Sequence, residues 1–446
     1  MQGQRSLSLR LNREILRLSI PAIVSNVTVP LLGLCDTGIS GHLGSEIYLA
    51  AIAVGSVMLN AVYWLFGFLR MGTTGLAAEA LGRGDDKAIC RVFSRSLLLA
   101  FICGVVLIIL SVPLRNLLFY IISPETEVRL SAASYFQICI IGAPALLGVA
   151  SVNGWLVGMQ TTTYPMIISI IINVVNIAAS MIAVFVIKTG FIGIAYGTAI
   201  ANWIGLGVAL YCCVLFRKGG LPLCSWREVI AGGGIKKYFS VNSNLFIRSL
   251  CIIAVTMGMT SAAAGLGTML LAVNVIMMQF FQLFSFFMDG FAFAGEAMTG
   301  LHAGERDLFL LHKSVVMLLK WTLGLAIAFA LLYFFFGDAI CRILTDVDEV
   351  RESFRTMDLI LFLMPLVSCW AFIFDGFYVG LTKTRMMMFS TLIGAVVFFM
   401  FAFYCSDMKE TYSGLYPLWT GFLCYLGLRG LFLALLWNKM EKQVGQ

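Results

Sequence analysis

Twelve apolar runs, each close to the length of a membrane-crossing helix, follow one another along this 446-residue chain. They occupy residues 15–36, 47–69, 94–112, 136–157, 165–187, 191–216, 239–263, 269–293, 314–336, 359–379, 388–405 and 416–437. A helix needs about 20 mostly apolar residues to span roughly 30 Å of hydrocarbon. Lipid offers no partner to a free backbone amide, so a spanning segment has to close its own hydrogen bonds. Barrel strands read as shorter alternating segments, and the uninterrupted runs therefore specify helices. The predicted class is all-α integral membrane protein.

Composition excludes the soluble classes. The chain is 60% hydrophobic and 12% charged, whereas a soluble domain carries about 25% charge. The first run follows Arg5, Arg10, Arg13 and Arg17, which resembles the basic leader of a signal peptide. It is too long for that role, holds Pro21, Asn26, Pro30 and Asp36, and lacks a small-x-small cleavage site, so it is read as a retained helix. With twelve spans, 19 loop cations fall on the side of the N-terminus and 7 on the other. The positive-inside rule then places both termini in the cytoplasm, in a multi-pass protein of the inner membrane. The net charge of +7 is scattered over short loops and does not form a nucleic-acid footprint. The 12 cysteines lie mostly in apolar runs without a Cys-x-x-Cys pair, and His42, His302 and His312 lie in or beside predicted loops. No metal site and no cofactor are expected. An integral-membrane enzyme would need clustered catalytic groups, and none is present.

The chain is also written twice. At an offset of 222 residues, the segment from Asn153 to Thr162 lies over that from Asp375 to Thr384, matching both glycines, the valine and the final threonine. The same offset lays residues 49–54 over 271–276. A looser echo sets Glu79-Ala80 and Gly84-Asp85 against Glu296-Ala297 and Gly304-Glu305. Six spans per half make the repeat parallel, giving two six-helix bundles. The predicted division is an N-lobe over 1–216, a glycine-rich basic linker over 217–237 and a C-lobe over 238–446.

An ionisable group within hydrocarbon costs about 2.5–3.5 kcal/mol on insertion scales, so each is a candidate for function. Asp36 follows two prolines and stands where a proton and a cation could compete. Asp375 and Asp289 lie in the second half, beside Arg248, Phe287 and Met288, as candidates for the wall of a cavity. Arg248 and Arg429 are deep enough to need a carboxylate or carbonyl partner. Arg70 and Lys320 are near enough to helix ends to snorkel. At the cytoplasmic face, Glu79 with Arg83 and Glu296 with Arg306 are candidate ion pairs.

These fragments together resemble the multidrug and toxic compound extrusion (MATE) transporters, in their DinF-like branch. The resemblance rests on Ile20-Pro21, the stretch Asp36-Thr37 to His42-Leu43-Gly44, Glu79-Ala80, Asn173 with Asn176, the stretch Asp289-Gly290 to Glu296-Ala297, and Phe374-Asp375-Gly376. It implies two lobes around a V-shaped cleft, alternating access, and antiport of drugs or metabolites against H+ or Na+. It also implies that Asp36 answers to the coupling ion, with Asn176 and Thr198 as polar neighbours. Members with an acidic pair in the N-lobe carry an aspartate where this chain has Ser180, so Asp36 is expected to act with Asn176, Ser180 and water. The expected partners are a small-molecule substrate and membrane lipid, with no nucleic acid, and the expected state is a monomer. A lipid-linked oligosaccharide or lipid flippase is the alternative transport reading.

Overall fold

The structure is a computed structural model that describes residues 2–41, 46–231, 233–406 and 415–444. His42, Leu43, Gly44, Gly232 and Lys409, used in the motif, linker and charge readings above, lie outside the described residues. Every regular element among the described residues is helical. The first half contains α1 (Gln2–Gly41), α2 (Glu46–Leu65), α3 (Phe68–Gly82), α4 (Asp86–Ile109), α5 (Ser111–Ile122), α6 (Thr126–Cys139), α7 (Ala143–Gly158), α8 (Thr163–Met181) and α9 (Ile192–Arg217). A short α10 (Trp226–Ala231) follows. The second half contains α11 (Ile235–Gly265), α12 (Thr268–Glu305), α13 (Leu308–Leu344), α14 (Asp348–Arg355), α15 (Asp358–Gly380), α16 (Thr384–Ser406) and α17 (Leu415–Val444).

Among the described residues, 11 helical segments are long and apolar enough to cross a membrane, counting α2 with α3 and α6 with α7 as one segment each. The 40-residue α1 has the length for a twelfth. The helices overrun the apolar runs that announce them. The run ending at residue 293 sits inside the 38-residue α12, so His302 is a helical residue bonded to Glu305 at 3.1 Å. At 1.5 Å per residue α12 measures about 57 Å, well beyond the hydrocarbon thickness. Its polar turns stay helical because the ladder of backbone bonds does not end where the lipid does.

The duplication is repeated down to single hydrogen bonds. Gly84 and Arg306 both take a left-handed backbone, with φ of 64° and 59°. The next residue, Asp85 or Asp307, caps the following helix by accepting from the amide of Ala88 or Leu310, at 2.9 Å in each case. Gln160 and Thr382 likewise share a positive φ, and their amides bond to the carbonyls of Val157 and Val379, both at 2.9 Å. Close helix packing is copied too. A Cβ on Gly158 would stand 2.7 Å from the Thr74 carbonyl oxygen, and one on Gly380 would stand 2.6 Å from that of Glu296. All these pairs are related by the offset of 222. The looser echo is thereby corrected: the mate of Gly84-Asp85 is Arg306-Asp307, and Glu79 and Glu296 do not correspond.

The chain divides into two compact units, one of Val24–Phe239 and the other of Met1–Ile23 with Ser240–Gln446. This departs from the division expected at 216 and 238. The first 23 residues group with the second half, because the opening turns of α1 pack on α12: a Cβ on Gly290 would meet the Ser19 carbonyl at 3.0 Å. The expected linker also belongs to the first unit. Arg95, one of the 19 loop cations expected on the side of the N-terminus, is buried on α4 and donates to the carbonyls of Val229 at 2.9 Å, Gly233 at 3.0 Å and Glu228 at 3.4 Å. A guanidinium at the end of α10 satisfies carbonyls that have no partner within so short a helix.

Candidate functional site: two buried polar clusters

In the first unit the cluster is assembled from α1, α6, α8 and α9. Asn176 is 2% exposed and donates from Nδ2 to Thr198 Oγ1 at 3.2 Å. Ser180, one turn further along α8 and fully buried, donates to Asn176 Oδ1 at 3.4 Å. Thr198 passes its own proton to the Ile194 carbonyl at 3.1 Å. α8 and α9 approach closely here because Gly197 leaves room for the Ser180 side chain. Directly after this site α8 widens into a π turn over Ile182–Val186, a departure from regular helix that is frequent at functional sites.

Asp36 is half-buried on α1, and its Oδ1 atom is enclosed without a hydrogen-bond partner among the described residues. The helix that carries it is tied to α8 by Asn173, whose Nδ2 donates to the Thr28 carbonyl at 3.2 Å. The carboxylate lies within electrostatic reach of Tyr135 and Cys139 on α6. Cys139 donates from Sγ to the Ala195 carbonyl of α9 at 3.8 Å. The structure brings Asn176, Ser180 and Thr198 together. It adds Tyr135 and Cys139, which sequence reading missed. Their only signal was the spacing of four, which puts both on one face of an apolar helix.

In the second unit, Asp375 on α15 is 6% exposed and its Oδ2 is shared by the guanidinium groups of Arg248 on α11 and Arg429 on α17. The two arginines are 4% and 6% exposed. Arg429 also donates to the Tyr425 hydroxyl at 3.2 Å and lies 5.8 Å from the centre of that ring. Each cation finds its anion inside the bundle, as a buried charge requires. Asp289 is half-buried on α12. Met288 is fully buried in the hydrophobic core instead of lining a cavity, and Phe287 packs against Phe329 with ring centres 5.1 Å apart.

At the expected cytoplasmic face, Glu79 pairs with Arg83 at 3.3 Å. Its closer partner is Lys237, at 2.7 and 2.6 Å from the two carboxylate oxygens. That contact draws the start of α11 onto α3. The pair expected between Glu296 and Arg306 does not form. Glu296 is 1% exposed, and Arg306 caps the same helix about 15 Å further along. No group of three metal-ligating side chains occurs among the described residues.

A duplicated helical membrane protein with an enclosed polar cluster in each half has the architecture of a secondary transporter. The chain belongs to the MatE family, whose model matches residues 21–182 and again residues 245–404. It is 30% identical over 436 residues to DNA damage-inducible protein F of Escherichia coli, covering 96% of this chain and 92% of that one. It is 27% identical over 365 residues to the probable multidrug resistance protein NorM of Thermotoga maritima, covering 77% and 74%. The Vibrio cholerae MATE transporter VcmN shares the fold, with a TM-score of 0.85 at 16% identity and 98% of each chain covered. The family match in two copies agrees with the repeat, and the first of these relatives sets the chain in the DinF-like branch. The homologues are multidrug efflux transporters, not enzymes.

Proposed function

We propose that the protein is an antiporter of the inner membrane, with both termini cytoplasmic, that exports amphipathic organic cations, drugs or related metabolites by alternating access. H+ or Na+ entering at Asp36 is the coupling ion, and the working unit is a monomer. One contrast carries this reading. The Asp375 carboxylate is held by two arginines, whereas Asp36 keeps an enclosed oxygen without a partner among the described residues. An aspartate already neutralised by cationic side chains has no vacancy for an ion. One whose enclosed oxygen accepts no hydrogen bond from the described residues has one. Binding of the coupling ion and of a cationic substrate then exclude one another, which links the two fluxes. The two buried arginines lend no support to the flippase alternative, since both are engaged by Asp375.

The test is dye export by purified protein in liposomes, first under an imposed proton gradient and then under a sodium gradient. Asp36→Asn keeps the size of the side chain and removes its charge, and a change of about 1.4 kcal/mol already alters ion affinity tenfold. The variant is expected to insert normally and to lose gradient-driven export. Export at the wild-type rate under both gradients would sink the coupling role of Asp36.

A further inference from the structure

Within the second unit, a groove of about 650 Å³ opens between the first turns of α1 and the helices α12 and α13. One wall is apolar and aromatic, formed by Phe291, Met317 and Trp321. The Phe291 and Trp321 rings stack with centres 6.2 Å apart and planes inclined by 22°. The indole of Trp321 donates to Asn12 Oδ1 at 2.9 Å, which pins α1 to α13 and leaves the Asn12 amide nitrogen as a donor. The floor is open at Gly324, where an added Cβ would meet no atom within 4 Å. Ser8, Leu325 and Lys320 also line the groove. Lys320 is exposed and makes no hydrogen bond or ion pair with the described residues.

The level of Lys320 gives the groove its meaning. The 37-residue α13 is about 55 Å long and overhangs roughly 30 Å of hydrocarbon by some 12 Å at each end. Lys320 lies about 18 Å along the helix from Leu308, just inside the apolar layer, and its four-carbon stem reaches back to the depth of lipid phosphates. A simple snorkelling lysine needs no aromatic wall and no glycine floor. Here an ammonium with no anionic partner among the described residues stands beside an apolar, aromatic wall, which is the complement of an amphiphile with an anionic head.

We propose that this groove is a binding site for an anionic phospholipid from the leaflet on the side of the N-terminus, with the phosphate on Lys320 and Asn12 and an acyl chain along Met317 and the Phe291–Trp321 stack. The site is separate from Asp36 and independent of the coupling ion. An occupant would bridge α1 to α12 and α13, adding to the indole–amide bond between α1 and α13.

Native mass spectrometry of the purified full chain, titrated with phosphatidylglycerol or phosphatidylcholine, tests the assignment. Wild-type protein should retain one phosphatidylglycerol in preference to phosphatidylcholine. Lys320→Gln should lower that preference about fivefold, the effect of one lysine against an anionic lipid surface, and Lys320→Arg should restore it. Gly324→Leu should fill the floor and reduce retention of both lipids. Equal phosphatidylglycerol retention in wild type, Lys320→Gln and Gly324→Leu would overturn the proposal. So would full displacement of the lipid by inorganic phosphate, which would make this a site for a free oxyanion. Brominated phosphatidylglycerol in liposomes should quench a component of the fluorescence that is missing in Trp321→Phe, and identical quenching of the two proteins also counts against the site.

Discussion

Removing the carboxylate of Asp375 leaves the guanidinium groups of Arg248 and Arg429 facing one another inside the bundle, each no more than 6% exposed. Breaking a buried ion pair from one side costs about 3–5 kcal/mol. Asp375→Asn is therefore expected to lower the melting temperature of the detergent-purified protein sharply. Asp36→Asn removes no protein contact from the enclosed Oδ1 and should leave that temperature nearly unchanged. If Asp375→Asn melted with wild type, the arginine–aspartate cluster would not be holding α11, α15 and α17 together. The sequence announced each of these charges, since ionisable residues stand out in apolar helices. It could not announce their pairing, because Arg248, Asp375 and Arg429 are distant in the chain and share no spacing rule. Tyr135 and Cys139 were less legible still, being ordinary members of a buried helix until Asp36 is brought within reach.

Between helices, the pairing of α7 with α3 and of α15 with α12 depends on glycines placed where one backbone meets another. Gly158→Ala and Gly380→Ala each push a methyl group against a carbonyl oxygen of the facing helix. Overpacking of this kind costs about 1–3 kcal/mol. Gly324→Ala adds its methyl to open space and should gain up to about 1 kcal/mol from helix propensity alone. Thermal unfolding of the three variants checks the contrast, and equal melting of all three would remove the close-approach argument. Arg95 does similar work for the segment before α11. Hydrogen bonds to a charged group contribute about 1.5–3 kcal/mol, so Arg95→Ala should expose residues 217–237 to trypsin at least about tenfold faster. Unchanged cleavage would mean that the arginine does not hold this segment. Glycine content and basic charge made these residues look like a free tether. What they lacked was any mark of Arg95, a cation some 130 residues earlier whose burial only the fold reveals.

At the scale of the molecule, hydropathy alone carried the count of spans, because lipid imposes a length that water-soluble folds do not. The offset of 222 carried the duplication. Helix ends were poorly legible, since α12 and α13 extend well past the hydrocarbon that shapes their sequence. The distribution of loop cations predicts that an alkaline phosphatase reporter fused to the C-terminus stays inactive, and a cytosolic reporter at the same place is active. The reverse result would invert the proposed direction of export.

The two packing units do not coincide with the two sequence repeats. Residues up to Ile23 of α1 group with the second half, and the first residues of α11, up to Phe239, group with the first. Each half lends the start of its opening helix to the other, in the manner of a domain-swapped dimer. A gene cut at residue 231 would therefore encode fragments that are not self-sufficient: each would carry an arm belonging to its partner and lack one of its own. Co-expressed, they should find each other and reassemble. The same exchange is what a fused descendant would inherit if the ancestral half-length protein had worked as a pair of identical chains with interlocked arms.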